Sequence, residues 1–259
     1  MQRTKLIAET GNATEFFYRA WQYESAGDLK QSFVERLRQF PRQPDLLVYG
    51  LRTLVALAIR AWLRLYHRLD IQGREHLPRD RSFIMVANHA SHLDVLCLLA
   101  ALPLLKLHKA FPAAALDYFF VNLPRTAIAA IAINALPFGR QSCVRQSLER
   151  CRELLAAPGN ILIVFPEGTR TVSGRIGAFK PGIAWLVAGT NIPVLPCHLD
   201  GAFDAWPKGQ SLPRPKTVRL RIGAPRVYAS YGNGREPLQQ ITSDLQRAVV
   251  QLAAKPQSL

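Results

Sequence analysis

SFIMVANHASHLDVLCLLAAL, residues 82–102, joins two apolar runs through a short polar knot, NHASHLD at 88–94. The first run, SFIMVA, is short and bulky and reads as a strand, whereas HLDVLCLLAAL is long enough for a helix. Ser91 and Asp94 stand at S-x-x-D spacing before the second run, a capping arrangement with Ser91 as N-cap and Asp94 at N3. The knot is then a strand-to-helix turn, and His89 lies on it just outside the helix.

The same alternation continues downstream. NALPF, NILIVF, IPVLPCHL and TVRLRIG read as strands, while SCVRQSLERCRELLAA, GIAWLVAGT and ITSDLQRAVVQLA read as helices. This order predicts an α/β fold with a mostly parallel central sheet flanked by helices. The apolar segment 110–133 is broken by Asp117, Asn122, Pro124 and Arg125 into pieces too short to span a bilayer,. It is expected to form helices bordering an apolar cleft.

Upstream lies LLVYGLRTLVALAIRAWLRLYHR, residues 46–68, interrupted by Arg52, Arg60, Arg64 and Arg68. At about 100° per residue these arginines share one arc, with Leu47, Leu51, Leu54, Val55, Ile59, Trp62 and Leu65 opposite. This is a basic amphipathic helix suited to a membrane interface, with Arg52, Arg60, Arg64 and Arg68 facing headgroups and Trp62 among the contacts. The alternative is a helix that packs its apolar face on the protein's own core. Residues 1–44 mix charges with aromatics and end in PRQP. The division expected is a helical N-terminal extension over 1–68, membrane-associating at 46–68, and an α/β domain over 69–259.

Composition supports a lipid surface. The 259 residues carry a net charge of +15 with 49% hydrophobic content, a pairing that fits an anionic membrane better than nucleic acid,. Cys97, Cys143, Cys151 and Cys197 form no CxxC pair and read as reduced structural thiols,. The N-terminus shows no signal-peptide pattern. The expected location is the cytoplasmic face of a membrane, as a peripheral or monotopic protein.

For chemistry, His89 and Asp94 are five apart, about 140° on a regular helix, so only the turn can unite them. Asp94 would then fix one imidazole nitrogen and leave the other to deprotonate a substrate hydroxyl. The plainer alternative is a helix cap beside surface histidines. FPEGTR, 165–170, follows the strand NILIV and so sits where α/β proteins place ligands,. Gly168 would let a ligand approach the backbone, Arg170 would hold a phosphate, and Glu167 would orient that arginine or bind a hydroxyl. The alternative is a turn with a surface ion pair. PFGR at 137–140 and FKPG at 179–182 add Arg140 and Lys180. There is no GxSxG elbow, phosphate-binding GxxxxGK[ST] loop, dinucleotide GxGxxG, HExxH or nucleic-acid motif,.

These blocks resemble the glycerolipid acyltransferases, the superfamily that includes the glycerol-3-phosphate and 1-acylglycerol-3-phosphate acyltransferases. Asn88, His89 and Asp94 match the HxxxxD block, for which the resemblance implies a general base and its partner. Phe165, Pro166, Glu167, Gly168, Thr169 and Arg170 match FPEGTRS, with Thr171 where serine is usual; the family uses this block to bind the acceptor. Gly139 departs from the block that usually ends in an acidic residue or Asn before Arg140. Ile192 to Pro196 match the apolar-Pro block.

The resemblance implies transfer of a fatty acyl group from acyl-CoA or acyl carrier protein to a lysophospholipid. The leading acceptor is 1-acylglycerol-3-phosphate and the product phosphatidic acid, with no metal or cofactor and no acyl-enzyme. Backbone amides at the HxxxxD turn are expected to stabilise the oxyanion. The alternatives are another acceptor, such as glycerol-3-phosphate, another lysolipid, an amino-acid-linked lipid or a glycolipid, and a non-catalytic basic membrane-binding module.

Overall fold

The structure is a computed structural model and describes residues 46–115, 132–139 and 144–254. Residues 1–44, most of the 110–133 segment, Arg140 and Cys143 lie outside the described residues. The chain opens with α1 (Leu46–Tyr66), followed by β1 (Asp70–Gln72), β2 (Phe83–Ala87), α2 (Leu93–Ala101), β3 (Ala110–Ala115) and β4 (Leu136–Phe138). It continues through α3 (Val144–Ala156), β5 (Ile161–Val164), α4 (Gly182–Val187), β6 (Val194–Asp200), α5 (Ala202–Ala205), β7 (Arg219–Ile222) and α6 (Arg235–Ala254).

Among the described residues the strands form a seven-stranded sheet in the order β1-β7-β6-β2-β5-β3-β4. Every pairing is parallel except β6 with β7. The expected α/β class and mostly parallel sheet are therefore what the chain adopts.

The central strands are covered on both faces, and alternation along each one divides its side chains between two cores. Phe83, Met85 and Ala87 of β2 and Ile161 and Ile163 of β5 pack with Leu63 of α1 and Leu93, Cys97 and Leu98 of α2. Ile84, Val86 and Leu162 point the other way, onto Leu154 of α3, Ile183 of α4 and Ile241 and Leu245 of α6. Cys97, Cys151 and Cys197 are buried free thiols, and burial pushes Cys151 up to about 12 and raises the other two further. Such thiols are inert.

Three expectations change. Residues 110–115 form strand β3 beside β5, not a helix. A short apolar run is ambiguous by periodicity, and here the open edge of β5 decides it. The helix of 46–68 ends at Tyr66. His67 and Arg68 leave it through a turn in which Arg68 is left-handed (φ 45°) and the Leu69 N–H returns to the Leu63 carbonyl at 3.0 Å.

The third change is the way α1 faces. Arg52 is 3% exposed, and its Nη2 donates to Asn134 Oδ1 at 3.1 Å. Arg60 donates to the carbonyls of Leu99 and Leu102 at the carboxyl end of α2, where a cation complements the helix dipole,. Trp62 packs on the core, and Arg68 Nε donates to Thr217 Oγ1 at 3.0 Å. Burial lowers Arg52 to about 10 and also lowers Arg60. The outward arc instead carries Leu46, Leu47 (84% exposed), Leu51, Leu54 (66%), Leu57 and Leu65, with Arg64 exposed near its end. Arg52 and Arg60 pin the helix to the body, and among the described residues the outward leucines are left exposed.

Candidate active site

β2 and β5 are parallel neighbours, with Val86 opposite Val164. Their carboxyl ends therefore deliver residues 88–94 and 165–170 to the same edge, the usual ligand position in such sheets. Asn88 fixes the exit of β2: its Nδ2 donates to the Leu199 carbonyl at 3.0 Å, and its Oδ1 accepts the Leu199 N–H at 2.8 Å.

The turn that follows is built around one buried carboxylate. Asp94 is fully buried, and its Oδ2 accepts the Ala90 N–H at 2.6 Å, the Ser91 N–H at 2.7 Å and His89 Nδ1 at 2.9 Å. Ser91 Oγ accepts the Leu93 N–H at 3.1 Å and donates to the Trp206 carbonyl at 2.8 Å. The two side chains bond reciprocally as in a capping box, but the helix begins at Leu93 with His92 in the cap position, so Ser91 stands one residue before the cap and Asp94 at the second helical position,. Because a carboxylate only accepts, Nδ1 carries the hydrogen and Nε2 is the nitrogen free to take a proton. The His89 side chain keeps 22% of its surface exposed, and its ring stacks on Phe165 with centroids 4.1 Å apart.

Glu167 has a different job from the one the sequence suggested. Its Oε1 accepts the His89 N–H at 2.7 Å and its Oε2 accepts the Gly177 N–H at 2.9 Å, so both oxygens hold backbone. Burial raises its pKa, and the two amide hydrogen bonds oppose that shift. A Cβ on Gly177 would stand 2.9 Å from Oε2, which is why the loop is bare there. The His89 carbonyl accepts the Thr171 N–H at 2.9 Å, so His89 is clamped on both sides by the second motif.

Gly168 takes a left-handed conformation (φ 74°), and a Cβ there would meet Lys180 Nζ at 2.8 Å. The space above it belongs to the Lys180 side chain rather than to an approaching ligand. Lys180 and Thr169 are exposed, and Arg170 is half-buried. Arg170 lies close enough to His92 to help depress it: burial first, then Arg170, then His89 push the His92 imidazole down to about 4. The structure therefore gathers His89, Asp94, Glu167, Gly168, Lys180 and, through His92, Arg170.

The expectation that amides of the turn serve an oxyanion is not met for those of His89, Ala90, Ser91, Leu93 and Asp94, which all bond within the site. The sequence singled out neither Gly177 nor Trp206, and Phe165 only as the first residue of the FPEGTRS block. An aromatic directly after β5 was the available signal for Phe165, whereas Trp206 is brought in only by the fold.

A family model described as Acyltransferase matches residues 68–200. The chain is 33% identical over 169 residues to the chloroplastic 1-acyl-sn-glycerol-3-phosphate acyltransferase BAT2 of Brassica napus, covering 64% of this chain and 46% of that protein. It is 25% identical over 141 residues to the mouse 1-acyl-sn-glycerol-3-phosphate acyltransferase alpha, covering 54% and 48%. The chain spans about half the length of the curated relatives it matches. The crystal structure of the 1-acyl-sn-glycerophosphate acyltransferase PlsC from Thermotoga maritima superposes with a TM-score of 0.59 at 26% identity, over 81% of both chains.

Proposed function

The chain belongs to the acyltransferase family, and from that premise we propose that it transfers a fatty acyl group from an acyl thioester to the free hydroxyl of a lysophospholipid. The acceptor is 1-acylglycerol-3-phosphate and the product phosphatidic acid. The observation that carries this reading is the 2.9 Å bond between His89 Nδ1 and Asp94 Oδ2, on a partly exposed ring at the carboxyl edge of the sheet.

In the reaction, His89 Nε2 takes the acceptor hydroxyl proton as that oxygen attacks the thioester carbonyl. Asp94 stabilises the imidazolium. The tetrahedral intermediate collapses with cleavage of the C–S bond, and the imidazolium returns the proton to the departing thiolate. Donor, acceptor and the side chains of this site supply every atom and proton, with no metal or prosthetic group in the scheme. Acyl-CoA or acyl carrier protein is the donor.

Arg170 and Lys180, joined by Arg140, recognise the acceptor phosphate. The outward stripe of α1 supports a monotopic placement, with its leucines sunk into one leaflet of the cytoplasmic face and Arg64 at the headgroups,. The helix is long and apolar enough to cross a bilayer by length and composition. Its inner arginines bond to the body, which favours lying in the interface.

An acceptor panel tests the assignment. The reading expects a phosphate-bearing monoacyl acceptor to be used best, and Arg170→Ala to raise its KM more than that of the thioester. Preference for a phosphate-free acceptor would transfer the assignment to another lipid, with Gly139 as the sequence departure that foretold it.

A further inference from the structure

We propose that residues 207–216, the loop PKGQSLPRPK, form a second membrane-contacting element that presses on an anionic bilayer beside the foot of α1. The inference extends the membrane placement given above and rests on it.

Lys208, Arg214 and Lys216 are exposed, and Leu212 is 78% exposed at the centre of the loop. No Asp or Glu occurs between Ala205 and Val218; the nearest acidic residue in sequence is Asp204. An exposed leucine in a loop whose only charged residues are cations matches a surface with anionic headgroups outside and hydrocarbon beneath,.

The loop is also built, not trailing. Trp206 Nε1 donates to the Gln210 carbonyl at 2.8 Å, and the Arg214 N–H donates to the Ala205 carbonyl at 2.7 Å. Its far end is stitched to the foot of α1. Tyr66 OH donates to the Pro213 carbonyl at 3.1 Å, the His67 ring bonds the Lys216 carbonyl at 3.3 Å, and Arg68 Nε reaches Thr217 Oγ1. Leu212 is thus one residue from a direct tie to Tyr66, the residue after Leu65, and both leucines are exposed.

Its near end touches the catalytic turn. The Trp206 carbonyl accepts Ser91 Oγ at 2.8 Å, and the Trp206 ring lies 5.5 Å from that of His92. The loop therefore spans from the HxxxxD turn to the membrane helix. Seated on lipid headgroups, it would hold the site at the depth where a lysophospholipid hydroxyl emerges. A docking site for an acidic donor protein would also want cations, but the tie of the loop to the foot of α1, a helix whose leucines stand exposed, favours the bilayer.

The test is co-sedimentation of the whole chain with phosphatidylcholine vesicles, with and without phosphatidylglycerol, alongside acyl transfer in neutral detergent micelles. The proteins compared are wild type, Lys208→Glu/Arg214→Glu/Lys216→Glu, and Leu212→Asp. The triple variant should lose about tenfold or more in affinity for anionic vesicles and lose the preference over neutral ones. Leu212→Asp should weaken binding to both vesicle types, and both variants should keep micellar activity. Wild-type vesicle binding by both variants would overturn the proposal. So would intact vesicle binding with lost micellar transfer, because the cations would then hold the acyl donor. If wild type itself transfers nothing in micelles, the functional reading fails while the vesicle comparison still decides the loop.

Discussion

Glu167 grips His89 by its backbone and not by its ring: Oε1 accepts the His89 N–H at 2.7 Å while Oε2 accepts the Gly177 N–H at 2.9 Å. The imidazole is thus oriented twice, by Asp94 at the ring and by Glu167 at the main chain. Two motifs separated by more than seventy residues are thereby bonded to each other, since β2 and β5 are adjacent.

Glu167→Gln replaces one acceptor with an NH2 group facing an N–H donor, a loss of about 1–3 kcal/mol at a buried site. The expected result is a fall in kcat of roughly tenfold to a hundredfold with acceptor KM little changed. Gly177→Ala should behave alike, because its Cβ would crowd Oε2. Steady-state kinetics on both substrates check this. A rise confined to acceptor KM would mean that Glu167 touches the acceptor.

The two sides of α1 should separate stability from membrane binding. Arg52→Ala removes the donor to Asn134 Oδ1 inside the body and should cost about 1–3 kcal/mol in urea unfolding, with vesicle binding retained,. Leu54→Glu, on the outward stripe, should leave stability within about 0.5 kcal/mol and abolish vesicle binding,. The reverse pattern would restore the arginine arc to the lipid.

His92 makes the fold sensitive to acid. Its imidazole takes a proton near the ordinary 6.5 when unfolded but only near about 4 in the fold, because of burial, then Arg170, then His89. Between those values the unfolded chain binds more protons, so stability is full above pH 6.5 and falls as the pH drops toward about 4,. Burial lowers His67, His108 and His198 in the same direction. His92→Gln should flatten part of that slope in unfolding measured across the window. An unchanged slope would remove His92 from the effect.

What could be read in the chain was what is local. SFIMVA and NILIV announced two strands and NHASHLD the turn into a helix, and the fold uses them so, with His92 rather than Ser91 in the cap position. The direction in which α1 faces was not legible, because periodicity defines two arcs without saying which is inward. The answer depends on Asn134 and on the carbonyls of Leu99 and Leu102, distant in sequence, which draw Arg52 and Arg60 to the inner side beside Leu63. The role of Glu167 was hidden for the same reason: a carboxylate in a turn cannot be assigned to the backbone of His89 until β2 and β5 are known to be neighbours. Arg68 looked helical by spacing, whereas the left-handed turn it takes serves the pairing of β1 with β7 that follows.

Acyl transfer from labelled long-chain acyl-CoA, or acyl carrier protein, to 1-acylglycerol-3-phosphate in detergent micelles decides whether His89 is the base. Wild type, His89→Ala and Asp94→Asn are compared, with melting temperature as the check on folding. Wild type should form phosphatidic acid, both variants should lose about three orders of magnitude or more in rate, and the His89→Ala protein should melt like wild type. Phosphatidic acid formed at a near-wild-type rate by folded His89→Ala would mean that His89 is not the general base.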